Sequence, residues 1–119
     1  SNSVAGSTVL FNGALVTDSL TSSGNAYHLH LAGTGSIIGT TSLQNAGQAI
    51  FGNSSADILL FVAPLSVTVP SSVELFGQIR TQRSTVLLGD SNTPVNLRSA
   101  DSVVDTTNNM DPLFLTGAT

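Results

Sequence analysis

Two histidines stand two residues apart in Ala26-Tyr27-His28-Leu29-His30-Leu31-Ala32. On a strand, positions i and i+2 share a face. Both imidazoles then point the same way, in a geometry that suits two ligands of one metal ion. A zinc centre needs at least a third protein ligand, and no ligand motif accompanies the pair. The simpler reading is two outward-facing polar side chains on an alternating strand.

The other chemistry-bearing groups are thinner still. Asp90-Ser91-Asn92 has the D-x-N spacing that opens a calcium loop. It lacks the glycine and the closing glutamate of that loop, and Thr93-Pro94 follows, so a β-turn is expected. Asp101, Asp105 and Asp111, with Asn108 and Asn109 between them, read as a turn-rich loop. Glycoside hydrolysis needs two carboxyl groups at a set separation, yet Glu74 is the sole glutamate. Gly33-Thr34-Gly35-Ser36-Ile37-Ile38-Gly39 has the spacing G-x-G-x-x-x-G with no following lysine, so the dinucleotide fingerprint fails. In a β fold such glycines would turn corners at positive φ. No G-x-S-x-G elbow is present. Arg80-Thr81-Gln82-Arg83 is the one basic spot; it reads most simply as a solvated turn, with Glu74 or an acidic loop of a neighbouring subunit as the partner if it is paired. Asn53-Ser54-Ser55 fits a glycosylation sequon. No catalytic residue, cofactor site or metal site is assigned, and the chain is expected not to be an enzyme.

Composition narrows the class. Charged residues make up 8% of the 119, lysine and cysteine are absent, and the net charge is −4. With no basic stripe, binding to a phosphate backbone has no electrostatic footing. Disordered chains are charged and poor in apolar residues, whereas this one is 40% hydrophobic with a mean hydropathy of +0.29. Its polarity comes from Ser, Thr, Asn and Gly, which suits turns and stacked strands. The longest apolar run, Ile58 to Leu65, contains Pro64 and is far short of the ~20 residues of a membrane-spanning helix. Any export signal is expected outside these residues or already removed.

The elements that must position these groups are strands. Short clusters of Val, Ile, Leu, Phe and Thr alternate with Gly, Asn, Ser and Asp. Residues 26–32 and 73–79 alternate in polarity, and no window carries helical spacing with caps. Apolar triplets centred on residues 10, 30, 50, 68 and 87 recur at steps of 20, 20, 18 and 19. A second series interleaves, from Leu15-Val16 through Ile37-Ile38, Leu59-Leu60-Phe61, Leu75-Phe76 and Val95-Asn96-Leu97 to Leu113-Phe114-Leu115. A rung of about twenty residues with two or three short strands is what a β-solenoid needs. The competing reading is an antiparallel β-sandwich or jelly roll, in which Asn12-Gly13 closes a hairpin. A third is an intertwined trimeric fibre.

Several segments resemble the β-strand repeats of bacterial filamentous-haemagglutinin-like surface proteins. They are Phe11-Asn12-Gly13, then Leu29-His30-Leu31-Ala32-Gly33-Thr34-Gly35-Ser36-Ile37, then Val67-Thr68-Val69 and Asp105-Thr106-Thr107-Asn108. The two histidines depart from that pattern, as do Pro64, Pro70 and Pro112. The resemblance implies an extracellular right-handed parallel β-helix that builds a stalk or adhesive filament, and it supplies no catalytic residue.

The expectation is a single all-β domain over residues 1–119, a right-handed parallel β-helix or β-solenoid. Leu10-Phe11-Asn12-Gly13-Ala14 and Phe114-Leu115-Thr116-Gly117-Ala118 share a pattern 104 positions apart (residue 10 to residue 114). The domain is therefore also read as one repeat of a longer array. The expected function is structural: a component of an extracellular or cell-surface filament or adhesin stalk that assembles head-to-tail through β-edge contacts. Its expected partner is itself, with a surface glycan as a further ligand, and with no nucleic acid and no membrane span. Ile58, Leu59, Leu60, Phe61 and Val62, apolar on both faces, are the expected assembly residues together with Leu10, Phe11, Phe114 and Leu115. The alternatives are a trimeric phage or viral fibre domain that binds a host glycan, and a carbohydrate-binding module, for which no Trp and one Tyr are poor provision.

Overall fold

The computed structural model describes residues 7–22, 24–81 and 86–98, and the backbone of 103–105 and 113–115. Over these residues the chain is all β, without a helix, and winds as a parallel β-solenoid. Each turn lays one short strand on each of three sheets. The first turn is β1 (Thr8–Phe11), β2 (Leu15–Thr17) and β3 (Leu20–Thr21). The second is β4 (His28–Leu31), β5 (Gly35–Ile37) and β6 (Thr41–Ser42). The third is β7 (Ala49–Phe51), β8 (Ile58–Phe61) and β9 (Leu65–Val67). The fourth is β10 (Val73–Leu75), β11 (Gln78–Thr81) and β12 (Val86–Leu88). Last come β13 (Val95–Leu97), β14 (Val103–Asp105) and β15 (Leu113–Leu115). Sheet 1 stacks β1-β4-β7-β10-β13, sheet 2 stacks β2-β5-β8-β11-β14, and sheet 3 stacks β3-β6-β9-β12-β15, every pair parallel. The antiparallel sandwich is thereby excluded. Asn12-Gly13 closes no hairpin, because β1 and β2 belong to different sheets.

Alternation along each strand decides what is inside. On sheet 1, Val9, Leu29, Ala49, Val73 and Val95 stack in one inward column, and Phe11, Leu31, Phe51 and Leu75 in the next. Sheet 2 adds Leu59, Ile79, Ile37 and Phe61, and sheet 3 adds Leu65, Val86, Val67 and Leu88. Phe51 and Phe61 meet edge to face across the core, with ring centroids 6.2 Å apart. Like side chains in contact at strand spacing give a continuous apolar channel, so the core needs no disulfide.

The rung is less regular than a fixed period predicts. Register partners on sheet 1 are Leu10, His30, Ile50, Glu74 and Asn96, giving steps of 20, 20, 24 and 22. The loop 52–57 in the third turn lengthens that rung. Asp57 closes this loop, its Oδ2 accepting the N–H groups of Asn53 and Ser54. The series at 10, 30 and 50 therefore lies on sheet 1, but residue 68 directly follows β9 of sheet 3 and residue 87 lies on sheet 3 in β12. The second series lies on sheet 2 as far as Phe61, then on sheet 1 in β10 and β13, and ends on sheet 3 in β15. Phe114 lies on sheet 3 and Leu10 on sheet 1, so their matching pattern joins positions on different sheets.

The glycines also act otherwise than expected. Among the described residues positive φ occurs only at Gly52 (79°) and Gly89 (81°), where the chain leaves a strand. Gly33 and Gly35 serve close approach instead: a Cβ there would sit 2.7 Å from the Gly13 oxygen and 2.5 Å from the Leu15 oxygen. Pro64 and Pro94 precede β9 and β13, where their carbonyls accept the N–H groups of Thr41 and Val73. Proline is tolerated at a strand's entrance, where its missing N–H breaks no ladder bond. Pro112 lies outside the described residues.

One core position is chemically discordant. Thr41, fully buried between Leu20 and Leu65, has a hydroxyl without a hydrogen-bond partner. Such a group costs about 1–3 kcal/mol. Thr41→Val keeps the shape and removes the hydroxyl. Urea unfolding is expected to show a gain of about 1–2 kcal/mol with an unchanged slope.

Candidate functional site

The outer face of sheet 1 carries the histidines, and both rings are engaged by the next turn. His28 Nδ1 accepts the Gln48 N–H at 2.9 Å, so a neutral His28 ring carries its proton on Nε2. His30 Nε2 donates to the Gly52 carbonyl at 2.9 Å. Among the described residues no group of three His, Cys, Asp or Glu side chains is placed to hold a metal ion. Asp101 and Asp111 lie outside the described residues. Asp90 is at a turn, its Oδ1 accepting the Asn92 N–H at 2.8 Å.

Farther along the same face, Glu74 is almost buried although it points outward. Its Oε1 accepts from Arg98 Nε at 3.0 Å and Nη2 at 2.5 Å, and its Oε2 accepts from Asn96 at 2.6 Å. Arg98, from the following turn, is thus the partner of Glu74, and Arg80 is not. Arg80 stands on sheet 2 with Nη2 toward Gln78 Oε1. A carboxylate with its oxygens occupied by a guanidinium and an amide is a clip between turns.

The expected assembly residues separate by alternation. Leu59 and Phe61 are core, whereas Ile58, Leu60 and Val62 face outward and are half-buried. Beside them stand Val16, 73% exposed, and Ile38, 55% exposed. Neither was singled out from sequence, because the doublets Leu15-Val16 and Ile37-Ile38 do not reveal which member points out. Leu10 is exposed on β1, and Phe11 lines the first turn's interior. Leu113–Leu115 pairs with β12 as the last strand of sheet 3, and the Phe114 and Leu115 side chains lie outside the described residues.

The two rims of the solenoid are the remaining feature. At the first turn the core opens into a cavity of about 400 Å³ lined by Val9, Phe11, Leu20, Ser22, Tyr27 and Leu29. In a parallel ladder, successive residues direct their N–H and C=O groups to opposite neighbours. The carbonyls of Ser7 and Phe11 bond to β4, so the amides of Thr8 and Leu10 point away from the stack. On β13, the Pro94 carbonyl and the Arg98 N–H bond to β10, which leaves the amides of Val95 and Leu97 at the opposite rim. Within the stack, each junction joins amides of inward residues, such as Leu29, to amides of outward residues on the next turn, such as Gln48. The rims present those same two halves: inward Val95 and Leu97 at one end, outward Thr8 and Leu10 at the other. No protein-family model, curated protein or solved structure matches the chain.

Proposed function

We propose that the protein is a structural segment of an extracellular filament or adhesin stalk and that it extends head-to-tail, one copy's β13–β15 rim meeting the next copy's β1–β3 rim. The observation that carries this reading is the complementarity of the sheet 1 rims in hydrogen-bond phase and in side-chain direction. Val95 and Leu97 amides would meet Thr8 and Leu10 amides, with Val95 continuing the inward column at Val9. Bare strand edges template further strands, and a heterologous contact of this kind grows open-ended. The apolar mouth at the first turn favours coverage by another turn. The resemblance to filamentous-haemagglutinin-like repeats and a surface poor in charge, where repulsion between copies is small, support the same reading.

Proline at a rim amide tests it. Sedimentation velocity over a hundredfold concentration range is expected to show growth of the native chain, and its filaments should diffract at about 4.8 Å along the axis. Leu10→Pro or Leu97→Pro, each removing one rim N–H, should end that growth with circular dichroism unchanged. A native chain that stays monomeric throughout would refute head-to-tail extension.

A further inference from the structure

The sequence holds a single Asn-Gly pair, Asn12-Gly13. The pair closes no hairpin; it forms the corner between β1 and β2 in the first turn, and both residues are exposed. The second-turn corner packs directly against it, since a Cβ on Gly33 would sit 2.7 Å from the Gly13 oxygen. Around Gly13 itself there is room: a Cβ added there would meet no atom within 4 Å. Among the described residues no hydrogen bond holds the Asn12 side chain or the Gly13 N–H.

We infer that Asn12 is a site of spontaneous modification, converting to isoaspartate and aspartate through a cyclic imide. The Gly13 nitrogen attacks the carbonyl carbon of the Asn12 side chain and closes a five-membered ring. The bond from that carbon to the amide nitrogen breaks, and ammonia leaves with the proton given up by Gly13. Water then opens the imide at either carbonyl, and no other reactant is needed. Nucleophile and carbonyl are already neighbours in the chain, and the missing Cβ lets the nitrogen approach. The other described asparagines lack one of these conditions. After Asn45, Asn53 and Asn92 the next N–H is held: Ala46 donates to the Asn25 carbonyl, Ser54 to Asp57 Oδ2 and Thr93 to the Asp90 carbonyl. Asn25 and Asn96 precede Ala26 and Leu97, whose side chains crowd the attack.

The product alters the rim, a consequence that rests on the head-to-tail reading. Isoaspartate routes the main chain through the former side chain and so adds one carbon between β1 and β2. Because Gly33 closes the space beneath, the longer corner bulges away from the stack, toward an incoming copy. The Thr17 carbonyl bonds to Ile38, which puts the Val16 amide at the rim together with that of Leu10. An arriving rim must match both strands at once, and the added carbon shifts one against the other. Conversion therefore closes this end, and a chain is extended there only while Asn12 is intact.

Ageing the folded protein at neutral pH tests the site, read by peptide mass spectrometry and by enzymatic methylation of isoaspartate. Asn12 is expected to convert about tenfold faster than any other described asparagine. The rate should rise with pH, because the attacking nitrogen must first lose its proton. Gly13→Ala, which the open space accommodates, should slow conversion about tenfold with circular dichroism unchanged, and Asn12→Gln should abolish it. An Asn12 that stays intact in the folded chain while it converts in urea would overturn the site. Sedimentation velocity then compares aged native chain with aged Gly13→Ala chain, and only the former should lose its growth. Undiminished growth after full conversion to isoaspartate would overturn the effect on the rim. A native chain that never grows would refute head-to-tail extension and leave the modification in place, so the two readings fail separately.

Discussion

Phe61→Ala is expected to cost about 3–5 kcal/mol, the range for removing a large aromatic from a closed core. Phe61 is fully buried in the third turn and lies edge-on to Phe51, contributed by sheet 1 of the same turn. The pair spans the interior where two sheets converge, so truncation leaves a void that neither sheet can close without breaking its ladder. A domain of this size has about 5–15 kcal/mol of total stability, and the loss takes a large part of it. Urea unfolding monitored by circular dichroism checks the prediction. Phe61→Leu, which keeps most of the volume, should lose no more than about 1.5 kcal/mol. Equal losses for Ala and Leu would show that the aromatic contact, and not the filled volume, sets the cost.

The second large effect is expected at a polar residue. Asn45 is fully buried at the corner between sheets 3 and 1. Its Nδ2 donates to the Tyr27 and Gln48 carbonyls, both at 3.0 Å, and its Oδ1 accepts from Ser22 Oγ at 3.0 Å. Ser22 Oγ in turn accepts the Gln44 N–H at 2.7 Å and the Asn45 N–H at 3.2 Å. Both polar ends of the amide are therefore used, and they tie the first turn to the second. Asn45→Ala takes one donor from the Tyr27 carbonyl and one from the Gln48 carbonyl, which keeps the Leu29 N–H, and it loosens the serine, at about 1–3 kcal/mol for a buried group that loses its hydrogen bond. A total of about 2–4 kcal/mol is expected in the same unfolding measurement. Asn45→Asp should also destabilise at neutral pH, because a carboxylate has no N–H for the two carbonyls. A loss below about 1 kcal/mol for Asn45→Ala would mean that water replaces the amide at this corner.

These two residues differ in how visible they were. Phe61 sits in Ile58–Val62, an apolar run that announces a strand, and only its direction was undecided. Asn45 lies in Gln44-Asn45-Ala46-Gly47, where no apolar alternation marks a buried position. Its burial follows from a corner packed under the neighbouring turn's main chain, and composition carries no record of that. Arg98 was hidden for the same reason. Its partner Glu74 is 24 residues away in sequence and adjacent only because one rung lies on the next. The histidines were correctly placed on one outward face, but their hydrogen bonds to Gln48 and Gly52 depend on inter-turn register. Period counting recovered the parallel stack and the first three rungs, then slipped between sheets once loop 52–57 lengthened the third turn.

By itself the sequence determined that the chain is all β and that its strands are short, and it favoured rungs of about twenty residues stacked parallel over an antiparallel sandwich. Those properties follow from local alternation and from the turn preferences of Gly, Asn, Ser and Pro, which act within a few residues. The tertiary structure alone decided that there are three sheets, which strand falls on each, which apolar side chains remain outside on sheet 2, and which amides reach the rims. Each of these depends on adding up every corner along the chain. A few extra residues in one loop shift the register of all that follows, and no short window of sequence contains that sum.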